Sequence, residues 1–207
     1  MYLLIISLTF VLSVGTAVLD SVICGVFSLT YAVFAPTLLM LSCALLLGLG
    51  DLIIRILPKK VWNFERKPFV ASQKEIAFYE KLGIRKWKDR FVPELGATAG
   101  FSKKNLTSLS VEYLERFLTE TCQGEALHLF GAVFAFAFLA FFPLRHWYFA
   151  LIILFVNAFL NLLPVCIQRF NRHRLSALYK LKSRTRAKTV QAKESETTEE
   201  TPEGAFN

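Results

Sequence analysis

Long apolar runs, broken at readable places by polar residues, set out the elements of this chain. Tyr2 to Leu19 is apolar and long enough to cross a bilayer. It has no Lys or Arg before Asp20, so the sequence reads as a retained span rather than a secretory signal, which needs a basic start. A second apolar region from Val22 to Leu57 is interrupted by Pro36, Gly48, Gly50 and Asp51, and the pattern predicts a span over Phe34 to Leu57. Asp51 and Arg55, one turn apart, can pair where the hydrocarbon ends. The third run, Leu127 to Phe142, reads LHLFGAVFAFAFLAFF without a charge. A short Pro143 to Trp147 connection then leads into a fourth span over Tyr148 to Ile167, which makes the pair an antiparallel hairpin. The fold class predicted is an all-α integral membrane protein with four transmembrane helices.

Between the second and third spans the pattern changes. Pro58 to Arg116 is polar and basic, with Lys59, Lys60, Arg66, Lys67, Arg85, Lys86 and Lys88 interleaved with Trp62, Phe64, Phe69, Phe78, Tyr79 and Trp87. This predicts a partly amphipathic segment lying on the membrane surface. Ile76, Tyr79, Glu80 and Leu82, then Ile84 and Trp87, fit short helices broken at Gly83. Val111 to Leu118 reads as a helix capped by Ser110 and entering the membrane. The chain thus divides into two spans over 1–57, a basic segment over 58–119, a hairpin over 120–176 and a polar tail over 177–207, with Glu194 to Asn207 predicted to be disordered.

Composition agrees with this. The 207 residues are 54% hydrophobic and 19% charged, with net charge +8 and mean hydropathy +0.45. A basic segment tethered between spans meets anionic headgroups or a phosphorylated substrate rather than nucleic acid. The positive charges of the long loop and of the tail predict both termini on the cytoplasmic side. Four cysteines without paired spacing give neither a disulfide framework nor a zinc site.

Titratable groups nevertheless enter the third span. In Glu120-Thr-Cys-Gln-Gly-Glu-Ala-Leu-His128, the residues Thr121, Glu125 and His128 share one helix face, and ionisable groups at such a depth point to function. Glu125-x-x-His128 matches half of a di-iron carboxylate site, but no second pair exists, so no metal is predicted. Cys122 lies on another face from His128 and reads as packing or a juxtamembrane palmitoylation site rather than a nucleophile. On the fourth span Asn157, Asn161, Gln168 and Arg172 form a polar stripe, either hydrogen-bonded glue between helices or part of a site.

Four pieces resemble a known family: Asn63-Phe64-Glu65; Phe78-Tyr79 with Arg85-Lys86-Trp87-Lys88; Glu120-Thr121 with Glu125 and His128; and Gln168-Arg169-x-Asn171-Arg172-x-Arg174-Leu175. In this order they are similar to the membrane acyltransferases of the glycosyl-4,4'-diaponeurosporenoate acyltransferase type, which act at the last step of a carotenoid glycolipid pathway in the bacterial cell membrane. The resemblance implies transfer of a fatty acyl group to a sugar hydroxyl of a membrane glycolipid. It also implies that Trp87 and Lys88 belong to the substrate-binding residues.

Acyl transfer to a hydroxyl needs a base, donors for the oxyanion and a place for the leaving group. His128 is the candidate base and Glu125 its orienting carboxylate, with Glu120 the next acid in the cluster. Asn161, Gln168 and Asn171 are candidate hydroxyl or oxyanion donors. Arg169, Arg172 and Arg174, with Lys86 and Lys88, match the phosphates of an acyl-coenzyme A, which serves as co-substrate; no cofactor is predicted. Two other readings use the same residues: a membrane adaptor that binds lipid or a partner, and a small membrane methyltransferase.

Overall fold

Each apolar run becomes a helix whose ends sit where the sequence supplies a cap or a break. A computed structural model describes residues 2–25, 28–91 and 108–199; Lys103, Lys104 and residues 200–207 lie outside the described residues. Helix α1 (Tyr2–Cys24) stops at Gly25, whose φ of +58° is open to glycine. Helix α2 (Leu29–Ile56) starts at Ser28, whose hydroxyl accepts from the Tyr31 N–H at 3.2 Å. It begins before the Phe34 expected from sequence and runs straight through Pro36. Lipid offers no partner for a free backbone group, so continuing the helix costs less than breaking it at the proline. The helix ends at extended Leu57 (φ −67°, ψ 142°), the conformation that Pro58 imposes on its predecessor.

Helix α5 (Val111–Phe134) takes its N-cap from Ser110, which accepts from the Tyr113 N–H at 3.2 Å. It is one element from Val111, so Glu120 to His128 sit in mid-helix rather than at the start of a span. From Ala135 to Phe141 it tightens into 3-10 geometry. After the turn at Pro143, helix α6 (Trp147–Glu199) runs back along it for 53 residues, well past the Ile167 at which the sequence ended the span. The disordered tail expected from Glu194 is thus helical as far as Glu199. Lys, Arg, Ala, Gln and Glu are good helix formers, and extending an existing helix avoids the nucleation penalty. Among the described residues four helices are long and apolar enough to cross a membrane, and the protein is an all-α integral membrane protein.

At the end with short connections, Ala17, Ala32, Ala35, Ala135 and Ala150 are buried with Leu39, Phe149, Ile153 and Leu154. Small side chains let the four helices approach closely, which is how packing holds helices together in lipid. At the other end the basic segment does not simply lie on the surface. It folds into a 3-10 turn (Lys59–Trp62), a second one (Lys67–Phe69), α3 (Gln73–Lys81) and α4 (Ile84–Phe91), parted by Gly83 at φ +66°. Trp62 and Phe64 are buried with Ile54, Leu118 and Cys122. Ala71, Ile76, Tyr79 and Ile84 are buried with Phe170 of α6. The Asn63 side chain accepts from the Glu65 N–H at 2.8 Å, forming a local turn. That turn sets Phe64 edge-on to Tyr179 of α6, ring centroids 5.3 Å apart. The segment is a cap docked on the hairpin.

Candidate active site

Where the cap meets the hairpin, two polar layers lie one above the other between α5 and α6. The outer layer is ionic. Glu125 is 3% exposed, and its Oε1 accepts from Arg169 Nη1 at 2.6 Å while its Oε2 accepts from Arg172 Nη2. Arg169 also grips Glu75 of α3, with Nε at 2.5 Å from Oε1 and Nη2 at 3.0 Å from Oε2, and donates to the Pro68 carbonyl at 2.8 Å. Arg172, 2% exposed, donates to the Phe69 carbonyl at 2.9 Å and to Thr121 and Cys122 at 3.4 Å, and stacks over the Phe69 ring. Two carboxylates thus face two guanidiniums, and the cluster fastens the cap to both hairpin helices. Buried charges persist only when paired and hydrogen-bonded in this way.

Glu75 was missed from the sequence because it has a local explanation. Ser72-x-x-Glu75 reads as a capping box, and the Ser72 hydroxyl does accept from the Glu75 N–H at 3.2 Å. Its carboxylate instead reaches α6 and also accepts from the Tyr79 hydroxyl at 2.6 Å. The Arg169 guanidinium holds the Glu75 carboxyl down to about 2, and burial pushes the Tyr79 hydroxyl up. Because the carboxyl titrates lower when docked than its ordinary 4.5, its contribution to docking is complete above about pH 4.5 and fades as pH falls toward 2. Tryptophan fluorescence of the cap should therefore be flat from neutral pH down to about 5 and change below it.

The inner layer is an imidazole and amides. His128 Nδ1 lies 3.0 Å from Asn161 Oδ1; Asn161 Nδ2 donates to the Asn157 carbonyl at 2.9 Å and to Asn157 Oδ1 at 3.1 Å; Asn157 Nδ2 donates to the Gly131 carbonyl at 3.0 Å. A Cβ added at Gly131 would stand 2.3 Å from Leu47 Cδ2 of α2 and 3.3 Å from Asn161 Oδ1, so the Leu47 side chain would have to shift. Gly131→Ala should accordingly lose about 1–3 kcal/mol of stability by overpacking, seen as earlier thermal unfolding in detergent. The Gln168 amide packs against Gly124, where a Cβ would come within 2.5 Å of its Nε2, and its Oε1 is buried without a hydrogen-bond partner among the described residues.

The structure redistributes the residues expected from sequence. Glu125, expected to orient His128, is held by two guanidiniums, and the Nδ1 partner of His128 is Asn161. A buried carboxylate gains more from cations than from a neutral ring. Arg169 and Arg172, expected to bind phosphates, have their donors engaged by carboxylates and carbonyls of the protein. The Asn161 amide donates within its own helix rather than to a hydroxyl. Glu120, half-buried, pairs with Arg116 at 3.5 Å and stands outside the buried cluster. Trp87 donates to the Leu82 carbonyl at 3.1 Å and fills the turn between α3 and α4. Lys88 and Asn171 are half-buried and Arg174 is exposed. The polar stripe of α6 does face α5, with Asn157, Asn161, Gln168 and Arg172 all meeting it. Among the described residues no group of three or more potential ligands could hold a metal.

The family profile of glycosyl-4,4'-diaponeurosporenoate acyltransferase matches residues 58–181, which takes in the cap, both polar layers and the first part of α6 beyond them. No curated protein and no solved structure matches the chain. The match covers more than half of the chain and gives acyl transfer as its chemistry, in place of the adaptor and methyltransferase readings that the sequence left open. The chain therefore belongs to the glycosyl-4,4'-diaponeurosporenoate acyltransferase family.

Proposed function

We propose that this membrane acyltransferase moves a fatty acyl group from an acyl thioester, acyl-coenzyme A, to a hydroxyl of a membrane glycolipid, with His128 as general base. The observation that carries the reading is His128 itself, an imidazole held by a side-chain relay between two membrane-spanning helices. A positioned imidazole is the side chain best suited to take a proton from an alcohol near neutral pH. The hydroxyl oxygen attacks the thioester carbonyl as His128 takes its proton. The C–S bond then breaks and the thiolate leaves with that proton. With Arg169 and Arg172 engaged by the protein, Arg174, Lys86 and Lys88 are the cations of the expected set that meet the donor's phosphates.

The excess of positive charge in the cap and tail favours a cytoplasmic side for the cap and so for the donor. A membrane-impermeant thiol reagent applied to intact cells should label a cysteine introduced at Arg145 but not one at Lys103; the reverse pattern contradicts this orientation. For the reaction, purified protein in lipid nanodiscs should pass label from acyl-coenzyme A into an alkali-labile glycolipid ester, releasing one thiol per ester. Thiol release without a labelled lipid ester would exclude the proposed acceptor.

A further inference from the structure

The hydrogen bonds around His128 decide which of its nitrogens carries the proton. A backbone carbonyl can only accept. The end of the Asn157 side chain that faces the Gly131 carbonyl at 3.0 Å must therefore be its NH2, which turns Asn157 Oδ1 away. The end of Asn161 that faces the Asn157 carbonyl at 2.9 Å and Asn157 Oδ1 at 3.1 Å must likewise be its NH2. Asn161 Oδ1 then faces His128 Nδ1 at 3.0 Å, and since that oxygen can only accept, Nδ1 must be the donor. In the neutral ring the lone pair lies on Nε2.

The anchor of this relay is the Gly131 carbonyl, which lies just before α5 tightens into 3-10 geometry at Ala135. A backbone carbonyl has two lone pairs, so it can accept from Asn157 Nδ2 alongside any bond within its own helix. The lack of a Cβ at Gly131 lets Asn161 come close beside it. Glycine, two asparagines of α6 and the imidazole thus form one unit, with Asn161 only 2% exposed.

We propose that Asn161 and Asn157 are positioning residues that anchor His128 to the Gly131 carbonyl in its Nδ1–H tautomer, so that Nε2 is the atom that takes the proton of the acceptor hydroxyl. The proposal rests on His128 being the base. It also gives Asn161 a different part from binding substrate: its contacts are made within the protein, so losing it should lower turnover and leave substrate binding nearly alone.

Nitrogen-15 solid-state spectra of the full chain in bilayers, labelled at histidine, test this directly once the spectrum of a His128→Gln sample is subtracted to leave His128. At a pH where the ring is neutral, Nδ1 should be pyrrole-type and Nε2 pyridine-type. Asn161→Leu should mix the two tautomers and lower kcat about 10-fold to 100-fold at nearly constant KM, the range seen when the outer partner of a metal-bound imidazole is lost. Asn161→Asp, which keeps an oxygen toward Nδ1, should restore the Nδ1–H form. A pyridine-type Nδ1 in the parent overturns the proposal, and so does an unchanged tautomer in folded Asn161→Leu. Should Asn161→Leu fail to fold, the parent spectrum still decides. If His128→Ala keeps full turnover, the base assignment fails while the tautomer is still read independently from the spectrum.

Discussion

Glu125→Ala is expected to destabilise the protein by about 3–5 kcal/mol, the usual result of leaving a buried charge without its partner. Both oxygens of Glu125 accept from guanidiniums, and among the described residues the other hydrogen-bond partners of Arg172 are the Phe69 carbonyl, Thr121 and Cys122, none of them a carboxylate. Arg169 keeps Glu75, so the loss falls chiefly on Arg172. Arg172→Ala should cost a comparable amount for the mirror reason, since it strips Glu125 of one of its two cations. Glu125→Leu with Arg172→Leu should be less harmful than the two single changes together, because an apolar pair replaces the ionic one and leaves no charge unpaired. The effect should appear as loss of folded protein and earlier thermal unfolding in detergent. If Glu125→Ala shifts stability by less than about 0.5 kcal/mol, as an exposed position would, the ionic layer is not what holds the cap.

The elements were legible in the sequence where local chemistry specifies them. Apolar runs marked four helices, Ser110 capped α5 as expected, and Gly83 broke α3 from α4. Pro36 misled because its usual meaning, a helix start, is overridden where lipid forbids free backbone groups. The length of α6 was hidden because polar residues beyond Ile167 look like a tail until an existing helix carries them onward.

For the site, the shared face of Thr121, Glu125 and His128 and the stripe on α6 were both readable, since each belongs to one helix. Which residue meets which was not. One-turn spacing made Glu125 and His128 look like partners, but partners across a helix pair depend on register. That register depends on the short turn at Pro143 and on the close approach allowed at Gly124 and Gly131. Glu75 illustrates the same limit: a capping-box glutamate satisfies every local rule, and only the docked cap reveals its second partner on α6.

His128→Ala is expected to lower kcat by about 100-fold to 10,000-fold, the range that general-base catalysis contributes. The ring is half-buried and its Nδ1 meets one amide oxygen, whereas the ionic layer that fastens the cap lies elsewhere. The variant should therefore insert and fold, unlike Glu125→Ala. Losing the imidazole leaves Asn161 Oδ1 without that donor, a cost of about 1–3 kcal/mol that does not mimic a loss of turnover per folded molecule. Asn161→Leu and His128→Ala should not add, because they act through one group. The direct measurement is transfer of labelled acyl groups from acyl-coenzyme A to glycolipid, counted per folded molecule, for the parent and His128→Ala in the same nanodiscs. The account predicts a fall of at least about 100-fold with folding retained; turnover within about twofold of the parent would contradict it and place the base elsewhere.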